Sequence, residues 1–197
     1  GSGNWSTLAT WQRFNGTTWA TPTGGQGYPG QNTGTKNVLI RSGHTVTLNT
    51  NVNNSFTSLT VGDGSGGDET LEIPGDVFIN TRQFNIASDG NVDWTGNTNH
   101  TLSFPGGTDI VISSGGQLDT SGTCSAARRI EIGEVLIAIC NNNSNAADYN
   151  FQELIDNGGY NSPDADLSLT KSGSLTGSFP DVFQFEITVT NNGPDAA

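Results

Sequence analysis

Residues 37–48 read N-V-L-I-R-S-G-H-T-V-T-L, two short apolar runs separated by a polar turn. Similar runs recur as far as residue 133, and turns rich in Gly, Asn, Asp and Pro separate them. Runs of three to five residues that recur roughly every 6 to 12 positions favour a solenoid, in which each strand forms one side of a coil. They are too short for the strands of a wide sandwich.

The repeated runs predict an all-β protein built on a short right-handed parallel β-helix with caps. Each strand of a narrow coil buries one or two apolar side chains, and the predicted inward set is Val38, Ile40, Leu59, Val61, Ile73, Phe78, Ile86, Ile110 and Ile112. A β-sandwich or a jelly roll is the alternative fold.

The sequence divides into four segments. Residues 1–36 are rich in aromatic residues and predict an N-terminal cap, and residues 37–133 predict the β-helix. Residues 134–163 break the pattern and predict a C-terminal cap and linker, with a short helix at 148–156. Residues 164–197 alternate like the strands of an immunoglobulin-like sandwich, with Phe183, Phe185, Ile187 and Val189 on one face.

The last segment is too short to form a domain of that type. Two strands cannot bury a core alone, and an immunoglobulin-like sandwich needs about 100 residues. We therefore expect the natural polypeptide to continue past Ala197.

The composition indicates an extracellular protein. Seven basic residues against nineteen acidic ones give a net charge of -12, which argues against nucleic acid and anionic membranes as partners. No apolar run is long enough to span a membrane. Cys124 and Cys140 predict a disulfide, since an even cysteine count in a secreted chain favours one. Two buried free thiols are the alternative.

Two stretches resemble a known architecture. S-G-N-W-S-T-L-A-T-W at residues 2–11, together with residues 37–48, resembles the start of β-helical ectodomains on large Bacteroidota surface proteins. A-D-L-S-L-T-K at residues 165–171 and F-E-I-T-V-T-N-N-G-P at residues 185–194 look like the start of a tandem immunoglobulin-like surface repeat without assigned activity.

This resemblance implies a non-catalytic cell-surface adhesin of the gliding-motility type. The implied protein is exported by type IX secretion and displayed outside the bacterial cell. Its implied partners are a surface polysaccharide or an abiotic surface, the downstream repeats of its own chain, and the secretion and anchoring machinery. The alternative function is a carbohydrate-binding module of a secreted polysaccharide-degrading protein.

One glycine-rich loop is a candidate Ca²⁺ site. In D-G-S-G-G-D-E at residues 63–69 the glycines allow the loop to fold back, so that Asp63, Asp68 and Glu69 converge with backbone carbonyls. The loop lacks the ligand register of an EF-hand, and a solvated turn between coils is the alternative.

The N-terminal aromatic residues are candidates for ligand binding. Trp5, Trp11, Trp19 and Tyr28 offer large rigid faces that stack on sugar rings. The alternative is that they cover the open first coil, and an intermediate arrangement leaves one ring exposed.

Catalysis has weaker support. Asp89 with Asp93, or Asp109 with Asp119, would supply a carboxylate pair, but basic partners are scarce around them. His44 and His100 have no second metal ligand at a suitable spacing. We therefore predict no enzymatic activity.

Overall fold

The computed structural model describes residues 1–95, 100–120, 124, 128–141, 145–162, 167–176 and 182–191. The chain divides into two compact units, residues 1–162 and residues 163–197. The division lies within one residue of the boundary that the sequence suggests between linker and repeat. Among the described residues, no helix has the length and apolar character that crossing a bilayer requires.

The first unit contains sixteen strands and two short helices in its described part. The strands are β1 (Gly3–Asn4), β2 (Arg13–Phe14), β3 (Trp19–Ala20), β4 (Asn37–Ile40), β5 (Thr45–Thr47), β6 (Val52–Val61), β7 (Glu69–Ile73), β8 (Val77–Ile86), β9 (Gly90–Trp94), β10 (Thr101–Phe104), β11 (Asp109–Ile112), β12 (Gln117–Leu118), β13 (Arg129–Ile132), β14 (Val135–Ile139), β15 (Tyr149–Asn150) and β16 (Gly159–Tyr160). The helices are a 3₁₀ turn at Leu8–Thr10 and α1 at Phe151–Asp156.

The strands stack in parallel and form a β-solenoid of about three coils. One sheet has the order β1-β5-β7-β9-β12, and all of its pairs are parallel. The second sheet runs over the other sides of the coils through β4, β6, β8, β10, β11 and β13. Hydrogen bonds between adjacent coils join residues 25 to 27 positions apart. The predicted parallel β-helix is therefore confirmed.

Two strands are longer than the sequence suggests. β6 and β8 each have ten residues, although we expected strands of three to five. The first half of β8 pairs with β10 and its second half pairs with β11. Each long strand therefore forms two sides of a coil, because the chain bends between them without leaving the extended conformation.

The core consists of ladders in which equivalent residues of successive coils stack. Val46, Leu71, Val92 and Leu118 form one ladder, and all four are buried. Other ladders are Val38-Leu59-Phe84-Ile110, Ile40-Val61-Ile86-Ile112 and Val77-Leu102-Ile130. These contacts remove a continuous apolar strip from water, which is the main stabilising contribution to such a fold.

The predicted inward set is confirmed except for Phe78. Val77 and Ile79 are buried, whereas Phe78 is only partly buried. Successive side chains of a strand point to opposite faces, so a strand that buries Val77 and Ile79 must turn Phe78 outward. Phe78 lines a surface depression with Ser103, Pro105 and Glu131. Because Val77, Phe78 and Ile79 are all apolar, the sequence does not reveal whether Phe78 or its two neighbours face the core.

Helix α1 lies at the C-terminal end of the solenoid. It begins at Phe151, three residues later than the sequence suggests, because Asn150 acts as the N-cap. Asn150 accepts from the N–H of Glu153 at 2.9 Å, and Glu153 accepts from the N–H of Asn150 at 2.7 Å. Phe151 packs on the buried ring of Trp94, with ring centroids 4.8 Å apart.

The second unit contains two strands, β17 (Leu167–Thr176) and β18 (Val182–Asn191). They form an antiparallel pair, with Leu169 opposite Val189 and Lys171 opposite Ile187. Ile187 and Val189 are exposed. The segment with period-two alternation thus forms paired strands, and Ile187 and Val189 are uncovered on them.

Candidate functional site

The four predicted aromatic ligand-binding residues separate into two classes. Trp5 and Trp11 are buried, and their rings meet edge to face with centroids 4.8 Å apart. The Trp5 indole N–H donates to the Pro29 carbonyl at 2.9 Å, and the Trp11 indole N–H donates to the Trp5 carbonyl at 2.8 Å. Tyr28 is partly buried against the same core. These three residues pack in or against the core of the first unit.

Trp19 differs, because the residue is 56% exposed. It stands opposite Phe14, 50% exposed, on the hairpin that β2 and β3 form. The two ring centroids are 5.3 Å apart and the planes are tilted by 42°. The guanidinium carbon of Arg41 lies 5.7 Å from the centre of the Trp19 ring. Phe14, Trp19 and Arg41 thus form an exposed group of two aromatic rings and one cation. We call these three residues the aromatic patch.

The turn of this hairpin is held by one asparagine. The side-chain oxygen of Asn15 accepts hydrogen bonds from the N–H groups of Thr17 and Thr18, each at 2.9 Å. Gly16 adopts a positive φ of 100° within it. Side-chain bonds of this kind are typical of Asx turns. The turn therefore fixes the two rings as neighbours on adjoining strands.

The second candidate site is a cluster of three carboxylates, Asp63, Glu69 and Asp89. One oxygen atom from each lies within 4.8 Å of the other two. Asp63 is exposed, Asp89 is partly buried, and Glu69 is fully buried. We call these three residues the carboxylate cluster.

The hydrogen bonds of the cluster come from backbone groups of neighbouring loops. Glu69 Oε1 accepts from the N–H of Gly43 at 2.7 Å, and Asp89 Oδ1 accepts from the N–H of Gly64 at 2.9 Å. Asp63 Oδ1 accepts from the N–H and the hydroxyl of Ser65. Glu69 Oε2 and Asp89 Oδ2 are buried without a hydrogen-bond partner in the described structure.

Burial governs the electrostatics of Glu69. Loss of solvent raises the pKa of its carboxyl above the ordinary value, and the hydrogen bond from Gly43 opposes that shift. The negative charges of Asp89 and Asp63 raise the pKa further. The cluster thus concentrates negative charge around a buried carboxylate.

The sequence-based ion site is partly different from this cluster. Asp63 and Glu69 come together as expected, but Asp68 is exposed and lies outside the group. Glu69 points inward as the first residue of β7, so the preceding residue points away. The third carboxylate of the cluster is Asp89, from the next coil, and not Asp68. The signal that would have identified it is the repeated Asp-Gly pair, at residues 63–64 and again one coil later at 89–90.

The carboxylates considered for catalysis each have a different environment. Asp119 forms a buried ion pair with Arg128. Asp109 accepts from the N–H of Ser162 at 3.0 Å, Asp93 is buried, and Asp89 belongs to the carboxylate cluster. Of the two histidines, the His44 ring nitrogen lies 3.4 Å from the Ser2 hydroxyl, and the His100 carbonyl accepts from the indole of Trp94 at 3.0 Å.

The predicted disulfide between Cys124 and Cys140 is present, with Cα atoms 5.4 Å apart. It links residues 16 positions apart near the C-terminal end of the solenoid. Comparisons with protein-family models, with curated proteins and with solved structures find no match for this chain. The residues themselves therefore carry the functional argument.

Proposed function

We propose that this chain is the non-catalytic binding region of a secreted bacterial cell-surface adhesin, and that the aromatic patch contacts a polysaccharide. The exposed pair of Phe14 and Trp19 is the observation that carries the proposal. The resemblance of residues 2–11 and 37–48 to Bacteroidota surface ectodomains supports the adhesin assignment.

The chemistry of the patch suits a sugar ring. Two aromatic rings present apolar faces to solvent, and such faces pack against the C–H groups of a pyranose. Arg41 beside Trp19 adds hydrogen-bond donors that can reach the sugar hydroxyl groups. The net charge of -12 disfavours polyanionic glycans at long range. A neutral polysaccharide is therefore the ligand class that we propose.

The non-catalytic part of this proposal is supported by one of the carboxylate pairs considered above. Asp119 pairs with Arg128 and Asp109 accepts from the N–H of Ser162, so a neighbouring group engages each of the two carboxylates. Catalytic carboxylates instead face a shared substrate position.

Extracellular placement has one supporting feature besides composition. The Cys124–Cys140 disulfide is the type of bond that persists in oxidising environments outside the cytosol.

A glycan array and a surface-adhesion assay together test the proposal. The adhesin function predicts adhesion to coated beads that is lost in Trp19→Ala. The matched control is Val135→Ala, since Val135 is as exposed as Trp19 but lies on β14 at the other end of the unit. Adhesion that survives both Trp19→Ala and Phe14→Ala would show that the aromatic patch is not the binding surface.

The same patch also favours the second candidate, a carbohydrate-binding module of a polysaccharide-degrading protein. A single defined oligosaccharide on the array, lost completely in Trp19→Ala, would support the module. Adhesion to varied polysaccharide or abiotic surfaces without such an oligosaccharide supports the adhesin.

A further inference from the structure

Three successive coils meet beside the carboxylate cluster. Gly43 lies between β4 and β5, Asp63 lies between β6 and β7, and Asp89 lies between β8 and β9. A Cβ atom at Gly62 would stand 2.4 Å from Asp89 Oδ1, so the chain approaches Asp89 at a position that only glycine fits. The cluster is thus the point at which one inward side chain, Glu69, touches the coils on both sides of it.

Glu69 occupies a position where the coil otherwise places aliphatic side chains. Glu69, Leu71 and Ile73 alternate along β7, and each is 0% exposed. Glu69 Oε1 accepts a hydrogen bond from the N–H of Gly43. Glu69 Oε2 and Asp89 Oδ2 are buried and have no hydrogen-bond partner in the described structure. An ionised carboxylate buried in this way is strongly unfavourable unless a proton or a cation compensates it.

A cation compensates the cluster better than a proton does. A proton shared between Glu69 and Asp89 would satisfy two oxygens and leave Asp63 facing the remaining negative charge. The charged groups that act on Glu69 are the carboxylates of Asp89 and Asp63. A divalent ion would bind one oxygen from each of the three residues and neutralise most of their charge.

The donors favour calcium. The ligands are carboxylate oxygens, which hard cations prefer. One oxygen from each of the three carboxylates lies within 4.8 Å of the other two, so a single ion can contact all three. Mg²⁺ gives up its water ligands reluctantly and demands near-octahedral geometry, whereas Ca²⁺ accepts irregular sets of protein oxygens. Asp63 is exposed and leaves a side open for backbone carbonyl or water ligands, which calcium accepts in variable number.

We propose that Asp63, Glu69 and Asp89 bind one Ca²⁺ ion that joins successive coils of the solenoid. The ion would replace the hydrogen bonds that Glu69 Oε2 and Asp89 Oδ2 lack, and would hold the loops at residues 62–68 and 87–89 together. This role is separate from the proposed function of the aromatic patch. The Ca²⁺ site would stabilise the scaffold whatever that patch binds.

Calorimetric titration of the chelator-treated 197-residue chain with CaCl₂ tests the site, alongside thermal unfolding. We expect one ion per chain, a Kd on the order of 10⁻⁴ to 10⁻³ M as in extracellular modules, and binding of MgCl₂ at least tenfold weaker. The melting temperature should rise with Ca²⁺, because a ligand of the folded state stabilises it.

Three substitutions with a matched control assign the ligands. Asp63→Asn and Asp89→Asn should each weaken Ca²⁺ binding tenfold or more. Glu69→Gln should abolish the Ca²⁺ response while keeping or raising the metal-free melting temperature, since it removes a buried charge. Asp68→Asn is the control, because Asp68 lies in the same loop, carries the same charge and stands outside the cluster.

Two results would overturn the proposal. One is a melting temperature that millimolar Ca²⁺ leaves unchanged in the wild type, which would mean that a shared proton compensates Glu69 and Asp89. The other is an equal loss of binding in Asp68→Asn and Asp89→Asn, which would show diffuse attraction to an acidic surface. Asp63 is exposed, so Asp63→Asn remains informative if Glu69→Gln fails to fold.

Discussion

Arg128 and Asp119 form a buried ion pair next to the disulfide. The guanidinium Nη1 of Arg128 donates to Asp119 Oδ1, and the two side chains are 6% and 0% exposed. Asp119 Oδ2 lies 3.2 Å from the Sγ atom of Cys140, and the backbone N–H of Asp119 donates to Val92 at 2.7 Å. One aspartate therefore connects β9, the disulfide and the segment that precedes β13.

Asp119→Asn should destabilise the solenoid by about 3 to 5 kcal/mol, because it removes the negative charge that faces the buried Arg128 guanidinium in this ion pair. Asn tolerates the left-handed backbone at this position, where φ is 56°, so the substitution isolates the effect of charge. Urea unfolding measures the change. Asp156→Asn, at an exposed position, is the control. A loss below about 1 kcal/mol would show that the pair contributes little.

Removal of the disulfide should lower the free energy of unfolding by about 3 kcal/mol, because the closed loop restricts the unfolded chain. The comparison is between the wild type and the Cys124→Ser, Cys140→Ser double variant in denaturant. Reductant should destabilise the wild type and leave the double variant unchanged. Mass spectrometry of the non-reduced protein should show two hydrogens missing. Alkylation of both thiols without reductant would contradict the bond.

Gly90→Ala should destabilise the chain by about 1 to 3 kcal/mol through overpacking. A Cβ atom at this position would stand 2.1 Å from the carbonyl oxygen of Val61, a backbone atom that cannot move without disturbing β6. Gly75→Ala is the matched control, since a Cβ atom there meets nothing within 4 Å. Thermal unfolding of both variants checks the prediction, and equal melting temperatures would contradict it.

Phe151→Ala should cost about 3 to 5 kcal/mol by leaving a cavity under the terminal helix. Phe151 is buried and stacks on Trp94, whereas its neighbour Gln152 is exposed. Gln152→Ala should therefore change stability by less than about 0.5 kcal/mol. Urea unfolding followed by tryptophan fluorescence measures the change, and Trp94 beside the helix is one of the four tryptophans that contribute to the signal. A cost for Phe151→Ala close to that of Gln152→Ala would show that the helix does not seal the core.

The ladders of the solenoid could be predicted from the sequence because Val, Leu and Ile recur at inward positions of each coil. The full length of β6 and β8 could not be predicted, because neither strand contains a glycine or a proline. The sequence therefore carries no turn signal at the point where one side of the coil passes into the next. The prediction that Phe78 points inward was wrong for a related reason. Three adjacent apolar residues satisfy both faces of a strand, and only packing decides between them.

The carboxylate cluster shows a limit of reasoning from nearby residues. Asp63, Asp68 and Glu69 are close in sequence, and a local loop was expected to gather them. The structure instead uses the coil repeat, which brings Asp89 from one coil further along beside Asp63. Contacts between coils depend on the number of residues in each coil, and a single loop does not contain that information. For Trp19, the sequence could not show which of several aromatic rings stays exposed.

The final prediction concerns the strands β17 and β18. A pair of strands is marginally stable in water without further strands or a helix to cover its apolar face. Ile187 and Val189 are 60% and 61% exposed, so burial contributes little at these positions. We therefore expect the amides of 167–176 and 182–191 to exchange with solvent near the rate of an unfolded chain.

Hydrogen exchange followed by mass spectrometry of the 197-residue chain tests this expectation. The amides of β8 are the internal reference, since Ile79 and Phe84 are both fully buried and their amides should stay protected far longer. Ile187→Thr should then leave the melting temperature of the first unit unchanged, because its side chain is exposed. Protection of both strands at the level of β8 in a monomer would mean that this apolar face has a partner within the chain.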